Sequence, residues 1–588
     1  MRCFALFFLL FSCTPLDNRS SSAQTETDPT LLLIADDAYV DDDPQRNSVL
    51  SLSSILQAPR PDWIFYVRDN GIPPWTGEKL QNAMSIFTLG ASTLIPAGER
   101  PVEMIGEWDY SFQRIPNGSP DGSGVYRQDF PCFNDKQGCE RPTSEEEALR
   151  RLQLYYRARV KQLSGNPLIL SVTGHFFYQH RGAEWGAQLV LSEVGENIIS
   201  TQAHIAFTRG AARQYHVPWG MDMSSWFGPS IRDYSSPPVW KEPSPGPIYS
   251  SPTGGHSLSL TKRIYFASYM AGANFFMDEA GSVNFFDGEA LSPLGKVAQD
   301  FNQFTVNHPD RGTPYVPIAI LMDRIHGMGL SWWESTSLNW DTFPIDENDR
   351  SRLYTKSLFE AIWPLSFSFP QDNDESRFLV ASPFGDSFDV LLENAPTTLF
   401  SHYRVIIATG HLANDPALIA ALRYFVEAGG ILILDPTTYG QYFISGTAWG
   451  ATPVKFPGAT TTDYYSVGLG SVVVVNDLRE WTPVLTSISS QVLPFKVDGS
   501  VEFMFNKKGT RWVVTLLNNK GVTKRPKDAE VVDPQAAQTV TVQAKSGNIS
   551  NIVSWRGSDV VQINSNSFLT TIGPGDVAVY EFETTGAI

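Results

Sequence analysis

The chain contains 588 residues, of which 42% are hydrophobic, 18% charged and 12% aromatic, and its formal net charge is −18. The length predicts roughly three or four domains, and the apolar fraction excludes intrinsic disorder for most of the chain. Because a protein this acidic lacks the basic surface that binds nucleic acid, we expect no nucleic-acid partner. We favour a neutral ligand such as a carbohydrate.

The first 23 residues have the pattern of a signal peptide. Arg2 precedes an apolar run at 4–11 that is too short to span a bilayer. Two interpretations follow: residues 10–13 resemble a bacterial lipobox with a lipid anchor at Cys13, or cleavage falls near Ala23. We favour plain secretion and predict a secreted, cell-surface or periplasmic protein without a membrane span.

Cysteine usage agrees with export. Cys132 and Cys139 lie seven residues apart in a stretch that also contains Pro131 and Gly138. This spacing predicts a disulfide that closes a small loop, and two free thiols are the alternative. No cysteine follows Cys139. The rest of the chain therefore has neither a cysteine nucleophile nor a thiolate zinc site.

Residues 24–59 are acidic, with five aspartates between positions 36 and 43, and predict a leader on the surface. From 60 to 312, short apolar stretches alternate with amphipathic helices over about 250 residues, which predicts a (β/α)8 TIM barrel in the α/β class. The predicted strands are 62–67, 92–95, 168–172, 188–191, 216–221 and 274–277, and the predicted helices are 79–89, 145–163 and 258–272.

Two further domains follow the predicted barrel. Residues 313–456 have the pattern of a doubly wound, flavodoxin- or amidotransferase-like α/β domain, and residues 457–588 lose their helices and predict a β-sandwich. In the α/β domain we predict strands at 316–322, 404–408 and 431–434, and a helix at 416–428 that ends at Gly429-Gly430. In the sandwich we predict strands at 472–475, 512–517, 540–542 and 577–582.

Carboxylates follow two of the predicted barrel strands. Glu193 comes just after the strand at 188–191, and Glu279 comes just after the strand at 274–277. The carboxyl ends of barrel strands carry the active site, and two carboxylates there are what glycoside hydrolysis requires. We therefore assign Glu193 as acid/base and Glu279 as nucleophile, with Glu196 and Asp278 in reserve. The alternative is that such acids cap the following helix, where Asn197 or Ser200 would serve equally.

Other polar and aromatic residues near these strand ends are candidates for sugar contact, since sugar rings pack on aromatic rings and their hydroxyls bond to polar groups. For each of the tryptophans, filling a loop is the competing interpretation. The spacing of His175, His180 and Glu184 is not a metal motif, so we predict no metal and no cofactor. The predicted substrate-binding residues are His175, Tyr178, Trp185, Glu196, Asn197, Trp219, Asp222, Trp226 and Asp278.

A barrel with glutamates at its strand ends, an amidotransferase-like domain and a β-sandwich resembles the layout of clan-A glycoside hydrolases, in particular the family 42 β-galactosidases. The segment 313–327 resembles the first strand of such an amidotransferase-like domain. The resemblance implies a structural role for that domain, since it has no cysteine, and a homo-oligomer formed through it. The family carries an Asn-Glu pair at the acid/base, whereas this chain has Ser192-Glu193 and Glu196-Asn197.

Two classes of function fit the sequence. The first is an exported glycoside hydrolase that cleaves an oligo- or polysaccharide with a retaining carboxylate pair. The second is a non-catalytic glycan-binding surface protein on a barrel scaffold. Convergence of Glu193 and Glu279 on one face favours the hydrolase, and acids dispersed around an open cleft favour the binding protein.

Overall fold

A computed structural model describes most of the chain beyond residue 178 and isolated stretches before it. The described residues are 32–36, 78, 81–82, 102–106, 146–147, 149–150, 153–154, 156–157, 168–173, 178–195, 198–225, 255–279, 285–324, 349–364, 375–443, 447–525 and 528–585. No helix within these ranges is long and apolar enough to cross a membrane.

The first unit is built on a six-stranded sheet in which all strands run parallel. The strands lie in the order β1-β6-β5-β4-β3-β2, so chain neighbours from β2 to β6 are also neighbours in space. Their bounds are β1 Leu32–Asp36, β2 Val102–Gly106, β3 Leu168–Thr173, β4 Leu189–Gly195, β5 Trp219–Ser224 and β6 Phe275–Glu279.

Among the described residues, helices pack against one face of this sheet. The covered face presents Val190 and Val194 from β4 with Met221 and Met223 from β5, all within one hydrophobic core. The helices are α1 Tyr178–Trp185, α2 Thr201–Tyr215, α3 Leu258–Met270 and α4 Pro293–Asn307, and a small hairpin pairs β7 Phe286–Asp287 with β8 Ala290–Leu291.

The sheet has the strand order of a barrel, but its described strands do not close. Consecutive parallel strands joined by helices are what a (β/α) barrel requires, and β1 pairs with β6, as a last strand pairs with a first. Within the described ranges, β1 and β2 remain the two edges. The predicted strands at 62–67 and 92–95 lie outside the described residues, so closure into eight strands stays a prediction.

One segment differs from its predicted assignment. Leu32–Asp36, which the sequence placed in an acidic leader, forms β1 and pairs with β6 along its whole length. Its LLIAD sequence is apolar before its last residue, and the aspartates that follow it led us to interpret the whole stretch as surface. The sheet of the first unit therefore begins well before residue 60.

The second unit is a doubly wound α/β domain. Its sheet has the order β11-β10-β12-β13-β16-β15-β14, and the first five strands run parallel in the flavodoxin-like order 2-1-3-4-5. The strands are β10 Ile318–Met322, β11 Phe388–Leu392, β12 Val405–Thr409, β13 Ile431–Leu434, β14 Val454–Lys455, β15 Asp463–Val467 and β16 Gly470–Val474. The helices are α5 Arg350–Ile362, α6 Pro416–Glu427, α7 Pro436–Tyr442 and α8 Trp481–Val492.

The second unit extends beyond its predicted end at 456. The stretch 472–475, predicted as a sandwich strand, belongs largely to β16, which pairs in parallel with β13. Helix α8 contributes Trp481 and Val484 to the core that lines this sheet. A run of four valines fits a buried parallel strand and a sandwich strand equally well, so the pattern alone did not separate the two.

The first unit covers the free edge of this second sheet. Strand β11 is an edge strand, and an uncovered edge leaves backbone groups without partners. Side chains of α1 and α2 form hydrogen bonds with three of these backbone groups. Burial lowers the pKa of His180 to about 3, so its imidazole ring is neutral and donates through Nε2. The bonds are Arg209 Nη2 to Phe388 O at 3.0 Å, His180 Nε2 to Val390 O at 2.9 Å and Leu392 N to Gln214 Oε1 at 2.9 Å.

The third unit consists of two β-sheets that enclose one hydrophobic core. One sheet has five strands in the order β23-β26-β19-β18-β9, and the other has four in the order β17-β22-β25-β24. The strands are β9 Thr313–Pro314, β17 Phe495–Asp498, β18 Glu502–Lys508, β19 Arg511–Leu517, β22 Gln538–Ala544, β23 Asn548–Arg556, β24 Val561–Asn564, β25 Ser567–Ile572 and β26 Val577–Thr585, with a separate pair β20 Val522–Thr523 and β21 Val531–Val532.

Candidate carbohydrate site

Two buried carboxylates lie side by side at the carboxyl end of the first sheet. Glu193 on β4 is in register with Asp222 on β5. Their relative exposures are 5% and 3%. Since paired residues of neighbouring strands point to the same side, both lie on the face opposite the helix-packed core of Val190, Val194, Met221 and Met223. The sequence predicted Glu193 just after a strand, whereas β4 includes Glu193 and ends at Gly195.

A serine and a glycine on neighbouring strand positions lie next to Glu193. Ser224 Oγ donates a hydrogen bond of 3.1 Å to Glu193 Oε1. Gly195 pairs with Ser224 and has a φ of +87°, and a Cβ placed there would lie 2.1 Å from the Ser224 carbonyl oxygen. Only glycine allows the two strands to approach so closely at this point.

The last pair of the sheet adds two more acidic positions. Glu279 ends β6 and is in register with Asp36, the last residue of β1. The register Asp222 to Met277 puts Glu279 on the same face as Glu193 and Asp222, two residues further along its strand. The sequence analysis missed Asp36 because the strand before it was taken as leader.

Asp278, named as a reserve acid and a substrate contact, lies on the opposite face. It is fully buried and accepts hydrogen bonds from Tyr265 Oη at 2.6 Å and Ser225 Oγ at 3.3 Å. Tyr265 belongs to α3, so the carboxyl group lies between sheet and helix. Burial raises the pKa of Asp278 to about 7, against the opposing effect of these two hydrogen bonds. Alternation along the strand separates it from its neighbour Glu279.

Three aromatic candidates lie in hydrophobic cores. Tyr178 and Trp185 are the first and last residues of α1, with 2% and 5% exposure, and belong to the core shared with the second unit. Trp185 packs against Tyr156 with ring centroids 5.7 Å apart. Trp219 begins β5 at the amino end and belongs to the helix-side core. Tyr178 and Trp185 belong to a helix that was not among the predicted elements.

The remaining predicted site residues lie outside the described residues. These are His175, Glu196, Asn197 and Trp226, together with the predicted disulfide partners Cys132 and Cys139. Their roles therefore stay predictions. Within the described part of the chain, no group of three or more His, Cys, Asp or Glu residues could hold a metal ion.

A segment that follows the second unit's first helix contacts the helix starts next to the first sheet, and no sequence pattern predicts this contact. The backbone amides of Ser200 and Thr201, at the start of α2, donate to the carbonyls of Arg377 and Phe378 at 3.0 and 2.9 Å. Ser200 makes no side-chain cap, contrary to one of the alternatives weighed above. Glu375 accepts from the backbone amide of Ser257 at 2.9 Å, at the start of α3. The helix starts beside the site are thus held by residues more than a hundred positions away.

At three described helix starts of the second unit, a capping aspartate takes the position that an anionic ligand would need. Ligands of doubly wound domains bind where helix N-termini meet the carboxyl ends of strands. Here each of these helices has its own capping aspartate: Asp349 on α5, Asp415 on α6 and Asp435 on α7. Asp323 accepts from the His411 amide at 3.1 Å in the crevice between β10 and β12. These carboxylates accept hydrogen bonds from the backbone amides that would otherwise bind a phosphate.

No family model matches the sequence, and no curated protein matches it either. Several solved structures are similar to it in fold. Gan42B, a GH42 beta-galactosidase from G. stearothermophilus, is 10% identical, with 76% of this chain and 70% of that chain covered and a TM-score of 0.44. The beta-galactosidase from Bacillus circulans sp. alkalophilus is 10% identical, with coverages of 74% and 67% and a TM-score of 0.44.

A third similar structure is the polyextremophilic beta-galactosidase from the Antarctic haloarchaeon Halorubrum lacusprofundi. It is 11% identical, with 76% of this chain and 68% of that chain covered and a TM-score of 0.42.

Proposed function

We propose that this protein is an exported glycoside hydrolase that acts on an oligo- or polysaccharide. The observation that carries the proposal is the register of β4, β5, β6 and β1, which sets Glu193, Asp222, Glu279 and Asp36 along one face at the carboxyl end of a parallel sheet. Carboxylates in this position match the requirement for one proton donor and one nucleophile or base. Export rests on the apolar run after Arg2.

In this proposal Glu193 is the acid and Glu279 the nucleophile. The carboxylate of Glu279 bonds to the anomeric carbon as the glycosidic C–O bond breaks, and the departing oxygen keeps the electron pair and takes the proton of Glu193. Water then attacks the glycosyl-enzyme, returns a proton to Glu193 and releases Glu279. The Ser224 hydrogen bond holds the Glu193 carboxyl group in one orientation during both steps.

The test is hydrolysis of an oligosaccharide array that includes β-galactosides, with wild type beside E193Q and E279Q. We expect either substitution to lower kcat by at least about a thousandfold while binding persists, because each removes a group that reacts only in the transition state. D278N is the matched control, since it makes the same change one residue from Glu279 on the helix-covered face. Binding without turnover in wild type would instead identify a glycan-binding protein, and a wild-type rate in E279Q would refute its role.

A further inference from the structure

The chain that leaves the sheet after β5 returns to it at the same place. The backbone amide of His256 donates to the carbonyl oxygen of Ser225 at 2.8 Å. Ser225 directly follows Ser224, the last residue of β5, whose hydroxyl donates to Glu193. The position of His256 therefore helps to fix the end of β5, and with it the hydroxyl that orients Glu193.

Glu375, which belongs to the second unit, holds this point from outside the first unit. One of its carboxylate oxygens accepts from the backbone amide of Ser257 at 2.9 Å, and the other accepts from the Ser257 hydroxyl. The same carboxyl group lies 3.5 Å from Nδ1 of His256. All three residues are buried, so water does not compete for these charge-assisted contacts.

Charged groups from two other elements also face Glu375. Arg263 on α3 and Lys524 of the third unit attract its carboxylate, and Glu530 of the third unit repels it. The backbone amide of Glu375 donates to the carbonyl oxygen of Lys524 at 3.2 Å. Glu375 thus contacts both of the other units at the carboxyl end of the first sheet.

The residues after Glu375 contact the chain beyond β4, the strand of the proposed acid. The carbonyls of Arg377 and Phe378 accept from the first amides of α2, as described above. Between β4 and α2, the amide of Ile198 donates to the carbonyl oxygen of Gly195 at 2.6 Å. One short segment, 375–378, therefore supports the chain just beyond the ends of both β4 and β5.

We propose that Glu375 is a positioning residue for the hydrolysis. It holds His256 and Ser257, and through them the end of β5. It thereby keeps the Ser224 hydroxyl where it orients Glu193. The inference rests on the proposed function and deepens it, because the geometry of a site in the first unit then depends on a side chain of the second.

The kinetics of E375Q and S224A test this role. E375Q places an amide nitrogen where Ser257 donates, so the end of β5 loses part of its support. We expect kcat to fall about tenfold and KM to change less than about twofold, because a misoriented acid affects the transition state alone. In both variants the alkaline limb of kcat/KM should move to higher pH, since a hydroxyl donor favours the ionised carboxylate. The double variant should move it no further than S224A.

E480Q is the matched control for E375Q. Glu480 is another buried glutamate of the second unit that accepts from backbone amides. Its substitution should lower the unfolding midpoint, yet leave kcat and the alkaline limb in place. An E375Q variant that loses stability in the same way, with kcat and the limb unchanged, would overturn the proposal.

A second variant, S257A, serves if E375Q does not fold. It deletes the hydroxyl bound to Glu375 and also a helix cap, since Ser257 Oγ accepts from the amide of Leu260 at 2.9 Å. S292A deletes the equivalent cap on α4, where Ser292 Oγ accepts from the amide of Gly295 at 3.0 Å. Both should lower stability, but S257A alone of the two should move the alkaline limb, and an unmoved limb in S257A would contradict the proposal.

Amide hydrogen exchange separates this inference from the proposed function, because it needs no substrate. In peptides that cover 255–262, E375Q should exchange at least about tenfold faster than wild type and E480Q. Unchanged exchange there would overturn the role of Glu375 whatever the activity. Inactivity of wild type on every glycoside would refute the hydrolase and the catalytic role with it, while exchange at 255–262 still decides whether Glu375 holds the end of β5.

Discussion

At the scale of single residues, burial gives neighbouring acids of one strand different chemistry. Asp278 and Glu279 are consecutive, yet the first lies under helix α3 and the second shares a face with Glu193 and Asp222. Burial raises the pKa of Asp278 to about 7, so its carboxyl group is protonated in the folded protein over most of the acidic range. A group that prefers its neutral form is suited to hold sheet and helix together, and not to attack a sugar.

The raised pKa of Asp278 predicts a pH-dependent stability. The folded state binds a proton that the unfolded state releases above pH 4, so the stabilising contribution is complete below about pH 4 and is lost as the pH rises through about 7. D278N removes this dependence, and its free energy of unfolding relative to wild type should increase by about 4 kcal/mol between pH 4 and pH 8.5. Urea unfolding across this range is the measurement.

A second variant, Y265F, tests the same pH dependence of stability. It deletes the 2.6 Å hydrogen bond that stabilises the ionised carboxylate, so the loss of stability should move to higher pH. A parallel pH dependence in wild type and D278N would show that Asp278 is not the titrating group.

At the scale of elements, one carboxylate organises a whole loop of the second unit. Glu480 stands at the start of α8, and its two oxygens accept bonds from the backbone amides and hydroxyls of Thr460, Thr461 and Thr462. Burial opposes its ionisation, but these threonine donors outweigh burial and hold the pKa of Glu480 well below its usual range. The loop between β14 and β15 is thereby attached to the helix that follows β16.

We expect E480Q to lower the free energy of unfolding at pH 7 by about 2–3 kcal/mol, since charge-assisted bonds are replaced by weaker ones and one donor meets an amide nitrogen. The contribution is present above pH 4.5 and is lost on acidification, because the pKa is lowered in the folded state. E427Q is the control: its partner Arg423 is half exposed, and its cost should stay within about 0.5 kcal/mol.

Contact between the first two units depends on a glycine. Gly210 lies in α2, and a Cβ there would meet the carbonyl oxygen of Val390 in β11 at 1.8 Å. Arg209 beside it binds Asp386 at 2.6 and 2.8 Å and Asp389 at 2.7 Å, all buried. A helix can approach a strand this closely only where it carries no side chain, so the glycine sets the distance at which the ion pairs form.

G210A should therefore destabilise the protein by about 3 kcal/mol, because backbone must move to accommodate the methyl group. Gly440 supplies the matched control, since it also lies in a helix but a Cβ there meets nothing within 4 Å. G440A should be neutral or stabilising by up to about 1 kcal/mol, as alanine favours helix. Thermal unfolding of both variants decides this, and an equal response would show that the close approach at Gly210 is unimportant.

At the scale of the whole molecule, the three units share faces and edges. Helix α2 packs on the first sheet with one side and on the edge of the second sheet with the other. One strand of the third unit's five-stranded sheet, β9, precedes the second unit in the chain. It pairs with β18, which follows the second unit. A sequential division of the chain at 313 and 457 therefore does not match the way in which the sheets are assembled.

The amino-acid pattern by itself determined the local elements whose periodicity is strong. Strands β10, β12 and β13, helix α6 with its terminal glycines and the sandwich strand β19 fall within a few residues of their predicted places. It also placed Glu193 and Glu279 at the ends of strands β4 and β6. These features depend on residues close in sequence, where burial and turn chemistry leave a readable pattern.

Only the tertiary structure decided which acids share a face and which units share a core. Strand register between distant segments decides three of these features. It pairs β1 with β6, sets Asp222 beside Glu193 and directs Asp278 towards α3. Tyr178, Trp185 and Trp219 became core residues because surfaces from other units cover them. A single sequence shows which side chains are apolar and tend to be buried, but not which other segments of the chain bury them.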